Sequence, residues 1–504
     1  MKDRDCRNRS CGEPKDKWSQ LSLQFSTDDC PCSGFPAAGY RNNSNGGLNN
    51  AGSNGNYWYG SPNSATNGYN LNFNSTNLNT SNNNNRAYGF SVRCVSELTD
   101  SVPHSFHLTK EQLLLDLYLA YKDAGKNKRG KYYYQEFTLN MEDELVSLRD
   151  ELWNRTYKPG NSMCFIVKSP KKREVFAASF RDRVVHHLYY NYTYLLFNNT
   201  FIHDSYSCRE EKGTLFGIDR LVHHIRSVSD NYAKPCYVMK MDIEGYFMHI
   251  DRYRLLGITI DTLKRMSTHQ SDEPDKTWSD KLDYDFLYYL TEVIIMYNPV
   301  DNCFIHGSAN DWVGLPKSKS LFFTPLNCGL PIGNLTSQLF SNVYLNVLDQ
   351  FMKRTLHCRN YGRYVDDFYV VMNSKEALKS LIPQIRSFLK DNLMLTLHPN
   401  KTMIIDVRQG VGFLGAYVKP YRRYIESHSW KRMHPKILNL TTETNVFALR
   451  ASLNSFLGIL NHYNEFNRKY AVITPLRHFY NSGFFTGYMN KFIPATFSNL
   501  HNKS

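Results

Sequence analysis

The stretch RYVDDFYVV, residues 363–371, sets Asp366 and Asp367 side by side between two short apolar runs, and Asp242 follows a third such run, YVMKM, at residues 237–241. Runs of this length rich in aromatic and β-branched residues predict strands, with the aspartates at their ends. Carboxylates gathered there would repel one another unless a cation neutralised them. Clusters of this kind hold two divalent ions about 4 Å apart, the arrangement that stabilises both the attacking 3′-hydroxyl and the departing pyrophosphate in phosphoryl transfer. An Asp pair alone is ordinary turn chain; the ordered set carries the chemical reading.

Several elements must position these residues. Helical apolar stripes run through TKEQLLLDLYLAYKDAG and MEDELVSLRDELWN. FIVKSPKKREVFAASF predicts a basic hairpin around Ser169-Pro170-Lys171-Lys172, and FRDRVVHHLYYNYTYLLF a further helix. GLPIGNLTSQLFSNVYLNVLDQFMKR predicts a glycine-containing loop opening a helix capped by Asn334 or Thr336, with Leu339, Phe340, Val343, Tyr344, Val347, Leu348 and Phe351 on one face. Leu453, Phe456, Leu457, Leu460 and Tyr463 form a last helical stripe, and no segment recurs as an internal repeat.

The chain has 504 residues, enough for more than one structural unit, and a formal net charge of +14. Residues 1–96 carry nine Lys/Arg against six Asp/Glu, which leaves +11 on the aromatic-rich remainder. That excess suits a polyanionic partner such as nucleic acid. Eleven cysteines without pairing rhythm and a polar start, MKDRDCRNRS, predict a reducing, cytoplasmic setting, and no apolar run is long enough to predict a membrane span. Cys6, Cys11, Cys30 and Cys32 match no usual zinc-finger spacing.

Read together, MDIEGYF around Asp242, GLPIGNLTSQ at 329–338, YVDD at 364–367, LHPNKT at 397–402 and GFLGAYV at 412–418 resemble, in order, the palm signature of reverse transcriptases, specifically those of diversity-generating retroelements. The resemblance covers about residues 105–470. It implies an α+β right-hand polymerase with fingers and part of the palm over 105–239, a palm with an antiparallel sheet over 240–420 and a short helical thumb over 421–504. The separation of 124 residues between Asp242 and Asp366 is longer than in compact relatives. The resemblance makes Asp242, Asp366 and Asp367 the ligands of two Mg2+ ions, with Mn2+ as the alternative ion and the Ile243 carbonyl as a further ligand. Lys401 would assist the leaving pyrophosphate. Lys172, Arg173 and Arg181 would clamp the triphosphate, and Phe247 would be the steric gate against a ribose 2′-hydroxyl. Ile332 and Gly333 would line the nascent base pair, and Gly412, Phe413, Leu414 and Gly415 would form the primer grip. Surface charge for Lys172, core packing for Phe247 and a plain hairpin for 412–415 account for the same letters.

Where most reverse transcriptases carry Gln-Gly, this chain reads Ile332-Gly333, the form typical of the diversity-generating branch. Isoleucine cannot hydrogen-bond there, which implies lowered fidelity. The resemblance implies template RNA, a DNA or RNA primer, deoxynucleoside triphosphates and a small basic helical accessory protein as partners. Reverse transcriptases of retron, group II intron or phage-defence type are the nearest alternatives. A binding module with an inactive polymerase half is the alternative of another class.

Between Asn42 and Asn85 stand 18 Asn in 44 residues, with Gly, Ser and Thr filling much of the rest. Such composition predicts a largely irregular segment over residues 1–100. Its flanks, FPAAGY and AYGFSVRCV, resemble the C-terminal part of the lectin-type fold of variable proteins, so the segment reads as disordered tail, small binding module or translated template repeat. Asn codons begin with two adenines, and errors there change the residue without creating a stop.

Overall fold

The computed structural model describes residues 40–85 and 107–474, with breaks at 43, 46, 52, 63–65, 75–77, 170, 443 and 444, and residues 483–494. Cys6, Cys11, Cys30, Cys32 and both lectin-like flanks, apart from Tyr40, lie outside the described residues. The chain divides into two units, Met1–Pro103 and His104–Ser504.

In the first unit β1 (Tyr40–Arg41) pairs with β2 (Leu48–Asn49), and β3 (Gly55–Pro62), β4 (Asn67–Phe73) and β5 (Leu78–Asn85) form an antiparallel meander. Chain whose composition predicts irregular structure is therefore laid out in strands. An Asn side chain holds both donors and an acceptor, so facing asparagines can hydrogen-bond across a ladder. Asn72 Nδ2 donates to Oδ1 of the buried Asn56 at 2.6 Å.

The second unit opens on α1 (Lys110–Ala124), α2 (Tyr132–Leu139) and α3 (Met141–Trp153). The Oγ1 of Thr109 caps α1 by accepting the Gln112 N–H at 3.1 Å, and Leu113, Leu117, Ala120, Tyr121 and Ala124 are buried at helical spacing. Next come the basic hairpin, β6 (Ser162–Val167) and β7 (Arg173–Ala177), and α4 (Phe180–Asn198), which packs on α1. After α5 (Thr214–Val228), β8 (Tyr237–Asp242) leads into α6 (Tyr246–His249), α7 (Arg252–Met266) and α8 (Tyr284–Met296). A long segment then carries β9 (Cys303–Ile305) onto β6 as a parallel edge strand.

The helix α9 (Leu335–Gln350) widens at its end into a π-helical turn, Phe351–Thr355. The spacing assigns it one apolar face, yet nearly its whole circumference is buried, Ser341, Asn342, Asn346 and Asp349 included. The polar side is tolerated because it is partnered: Asn342 Nδ2 donates to the Ser207 carbonyl at 2.8 Å, and the Asp349 carboxylate accepts from the Tyr361 hydroxyl at 2.6 Å. Neither proposed cap donates its side chain to that task. The Oδ1 of Asn334 accepts instead from the Ala178 N–H at 3.2 Å, and Thr336 Oγ1 lies 2.6 Å from His186 Nδ1.

The chain then forms β10 (Tyr361–Tyr364), β11 (Asp367–Met372), α10 (Lys375–Leu393) and β12 (Met403–Asp406). The central sheet has the order β10-β11-β8-β12 and is antiparallel throughout. A second antiparallel sheet, β13 (Val411–Phe413), β14 (Ala416–Lys419) and β15 (Arg422–Ile425), shares a core with it through Val238, Tyr369, Val371, Phe413 and Val418. The last elements are α11 (Ser427–Leu438), α12 (Val446–Leu460), α13 (Phe466–Ile473) and the hairpin β16 (Gly483–Thr486) and β17 (Lys491–Pro494). Ile437, Leu453, Leu457, Leu460 and Phe492 give these elements a core of their own, and the hairpin is an addition to the all-helical expectation. The architecture is the α+β arrangement expected. Among the described residues no helix is long and apolar enough to cross a membrane.

Candidate active site

The register of the central sheet sets Asp242, the last residue of β8, directly opposite Asp367, the first residue of β11. Asp366 stands beside them in the tight turn joining Tyr364 to Asp367. That turn is strained: Val365, a β-branched residue, has φ of 55°. The support comes from Arg363, which is fully buried with its counterion Asp349. Its Nε and Nη2 donate to the two Asp349 oxygens at 2.8 and 2.6 Å, Nη2 also reaches Ser205 Oγ, and Nη1 reaches Asn342 Oδ1 and, at 3.1 Å, the Val365 carbonyl. A fixed guanidinium therefore grips the strained peptide from below.

Burial, followed by the nearby charge of Asp242, pushes the Asp366 carboxyl up to about 6. Asp367 is likewise pushed up to about 6, chiefly by burial and further by Asp242, Asp366 and Glu426, with Lys240 pulling the other way. Two cations touch the cluster. Lys401 Nζ bonds Asp242 Oδ2, and Lys240 Nζ lies 3.8 Å from Asp367 Oδ2 and 5.7 Å from the centre of the Phe413 ring.

This donor set, carboxylate oxygens short of positive charge, fits a hard divalent ion such as Mg2+. The isolated bridge between Ile243 and Leu397 is made by His398 N to the Asp242 carbonyl (2.8 Å) and Glu244 N to the Thr396 carbonyl (2.9 Å), so it does not consume the Ile243 carbonyl. Among the described residues no three His, Cys, Asp or Glu side chains already close on one point as a finished metal cage.

The remaining expected residues are unevenly placed. Arg173, at the start of β7, lies within electrostatic reach and lowers the Asp366 carboxyl. Lys172 Nζ donates to the Val313 carbonyl at 2.7 Å. Arg181 faces elsewhere: it pairs with Glu144 at 3.3 Å and Glu151 at 2.8 Å on α3 and lies over the Tyr157 ring at 6.0 Å. Those partners are about thirty residues distant in the chain, a pairing that spacing does not reveal.

Half-buried Phe247 sits on α6 edge-on to Tyr246, and its carbonyl accepts from Leu330 N at 2.8 Å. The Ile332 carbonyl accepts from Phe176 N at 2.9 Å. Gly333 has φ of 130°, and a Cβ there would fall 2.8 Å from Val175 Cγ1 and 2.9 Å from the Phe176 carbonyl. Only glycine allows this approach of the loop to β7. In the proposed primer grip, Leu414 and Gly415 have φ of 51° and 83°, the pattern of a type I′ hairpin turn, and Phe413 lies edge-on to Tyr369 at 5.1 Å.

Sequence reading missed Lys240, Arg363, Asp349 and Glu174. Arg363 had a visible signal, an arginine inside an apolar strand, which needs a buried acidic partner. The partner's identity lay 14 residues upstream on another element.

The raised carboxyls predict a pH signature. A carboxyl raised in the folded state opposes folding when ionised, an effect full above about pH 6 and absent below about pH 4. Asp366→Asn should therefore raise the melting temperature in chelator at pH 7.5 and leave it unchanged near pH 4. Equal melting temperatures at pH 7.5 would show that the cluster is not short of positive charge.

Residues 166–418, from β6 to β14, match the family described as reverse transcriptase (RNA-dependent DNA polymerase). No curated protein matches the chain. Among solved structures, apo telomerase from Candida tropicalis truncated from its C-terminal domain matches at 13% identity over 53% of this chain and 55% of that one, with a TM-score of 0.39. Candida albicans telomerase in complex with a telomeric RNA fragment matches at 11% over 65% and 57%, with a TM-score of 0.40. A second structure of apo telomerase from Candida tropicalis matches at 13% identity over 64% of this chain and 58% of that one, with a TM-score of 0.42. The chain thus spans a little over half the length of the solved structures it matches. With the family match covering half of its residues, the chain belongs to the reverse transcriptases.

Proposed function

We propose that the chain is an RNA-directed DNA polymerase of the diversity-generating type, making error-prone cDNA from a template-repeat RNA. The observation that carries the polymerase reading is the in-register placement of Asp242 against Asp367 beside Asp366, with both adjacent carboxyls raised. Asp242, Asp366, Asp367 and the Ile243 carbonyl would hold two Mg2+. Ions held there would supply Lewis-acid activation for a 3′-hydroxyl and positive charge for a departing pyrophosphate. Lys401, now on Asp242, would turn to the leaving group once that carboxylate has other partners. Arg173 with Lys172 binds the triphosphate, and Phe247 excludes a 2′-hydroxyl. Residues 105–239, 240–420 and 421–504 act as fingers with part of the palm, palm and thumb, and the hairpin 412–415 steadies the primer. Template RNA, primer and a small basic helical accessory protein complete the working assembly.

The low-fidelity part rests on Ile332, half-buried in the apolar cluster with Phe176 and Phe247. A missing neutral hydrogen bond at the nascent pair is worth about 0.5–1.5 kcal/mol, and about 1.4 kcal/mol is tenfold in discrimination. Residues from about 20 to 96 are proposed to be the translated template repeat, supported by the 18 Asn among the 44 residues from Asn42 to Asn85.

Three outcomes test this. Wild-type protein should extend a primer on RNA template with Mg2+ and deoxynucleotides, and Asp366→Ala should abolish extension; equal extension by both refutes the metal site. Ile332→Gln should lower misincorporation opposite template adenine several-fold, and an unchanged error spectrum would place the loss of discrimination elsewhere. DNA flanking the gene should hold a near-copy of the nucleotides encoding residues 35–95 that differs chiefly at adenines; without one, the template-repeat reading fails.

A further inference from the structure

The lengthened stretch between Asp242 and Asp366 includes segment 297–330, which folds onto the fingers hairpin. β9 adds to β6 with Phe304 opposite Met163, Lys168 pairs with Asp311 at 2.7 Å, and Lys172 donates to the Val313 carbonyl. The buried anchor is Glu174 on β7, only 1% exposed. Its carboxylate accepts three hydrogen bonds, all from this segment: Trp312 Nε1 at 2.7 Å, Ser320 Oγ at 2.9 Å and Leu321 N at 2.6 Å. A buried carboxylate so satisfied is a rigid joint, because loosening it strands either the anion or its donors.

The same segment continues into the candidate nucleotide site. Leu321 and Phe322 pack in one cluster with Phe176, Phe247, Met248 and Ile332, and Leu330 N donates to the Phe247 carbonyl. Ser318 O would lie 3.1 Å from a Cβ on Gly245, three residues past Asp242. Glu174 itself follows Arg173, and its strand neighbours Val175 and Phe176 receive the Ile332-Gly333 loop.

We infer that Glu174 is a positioning residue for the incoming nucleotide: it locks segment 297–330 to the fingers hairpin and so fixes Arg173, Phe247 and Ile332 relative to one another. The inference rests on the polymerase reading. The consequence is a split between binding and chemistry, since the joint is built from the hairpin and the inserted segment and none of its hydrogen bonds involves Asp242, Asp366 or Asp367.

The test is steady-state single-nucleotide extension by full-length protein, titrating deoxynucleotide and primer–template separately. Glu174→Gln keeps the volume but turns one acceptor into a donor facing donors, and Trp312→Phe removes one of the three donors. The expected result is a KM for deoxynucleotide raised about tenfold by Glu174→Gln and about threefold by Trp312→Phe, with kcat within about twofold and KM for primer–template unchanged. An unchanged KM for deoxynucleotide in folded protein overturns the inference. So does a parallel loss in kcat and in KM for primer–template, which marks a merely structural role. If Glu174→Gln does not fold, Trp312→Phe decides by the same criteria. Wild-type protein that extends no primer overturns the polymerase reading, and the inference with it.

Discussion

Buried beneath the Val365 turn, the guanidinium of Arg363 is the interaction on which the rest of the site depends. Three carboxylates at one end of a sheet repel one another, and the β-hairpin that brings two of them there passes through a backbone conformation unfavourable to valine. Strain of this kind costs about 1–3 kcal/mol and survives only where the surroundings over-determine it. The over-determination is visible: five donor contacts fan out from one side chain to Asp349, Asn342, Ser205 and the Val365 carbonyl. Separating so buried a pair by removing one partner costs about 3–5 kcal/mol, more than the strain it holds.

The fully buried α9 belongs to the same arrangement. A helix bringing Asn342 and Asp349 beneath the sheet must bury a polar side, so each of these groups has a stated partner. Above the sheet the electrostatics run in the opposite sense. The carboxyls of Asp366 and Asp367 are left short of positive charge, with Lys240 and Lys401 as partial substitutes at the edges. The scaffold is satisfied and the rim is not, which is the asymmetry expected where folding energy maintains a site for a charged ligand.

Much of this was legible in order along the chain. Short apolar runs located β8, β10 and β11, and helical spacing located α1, α3, α4 and the start of α9, because the run length and spacing of apolar residues are local properties of sequence. Helix caps and charge pairs were less legible. Asn334 looks like a cap and serves Ala178 instead, and Arg181 looks like a phosphate clamp but faces Glu144 and Glu151. In both cases a polar group had two chemically equal uses, and only packing chose between them. The asparagine tract differs again: composition measures the scarcity of apolar burial, and it is silent on amides that pair with one another, as Asn56 and Asn72 do.

By itself the sequence determined the fold class, the strands of the central sheet around the aspartates and most of the long helices, and it singled out three aspartates as candidates, since these follow from local periodicity and from an ordered set of motifs. Tertiary structure decided which charges meet. The register that opposes Asp242 to Asp367, the pairing of Arg363 with Asp349 and the clasp on Glu174 join residues 14 to 147 positions apart. The physical reason is that electrostatic and hydrogen-bond energy depends on separation in space and on the surrounding dielectric, neither of which exists until the chain has folded.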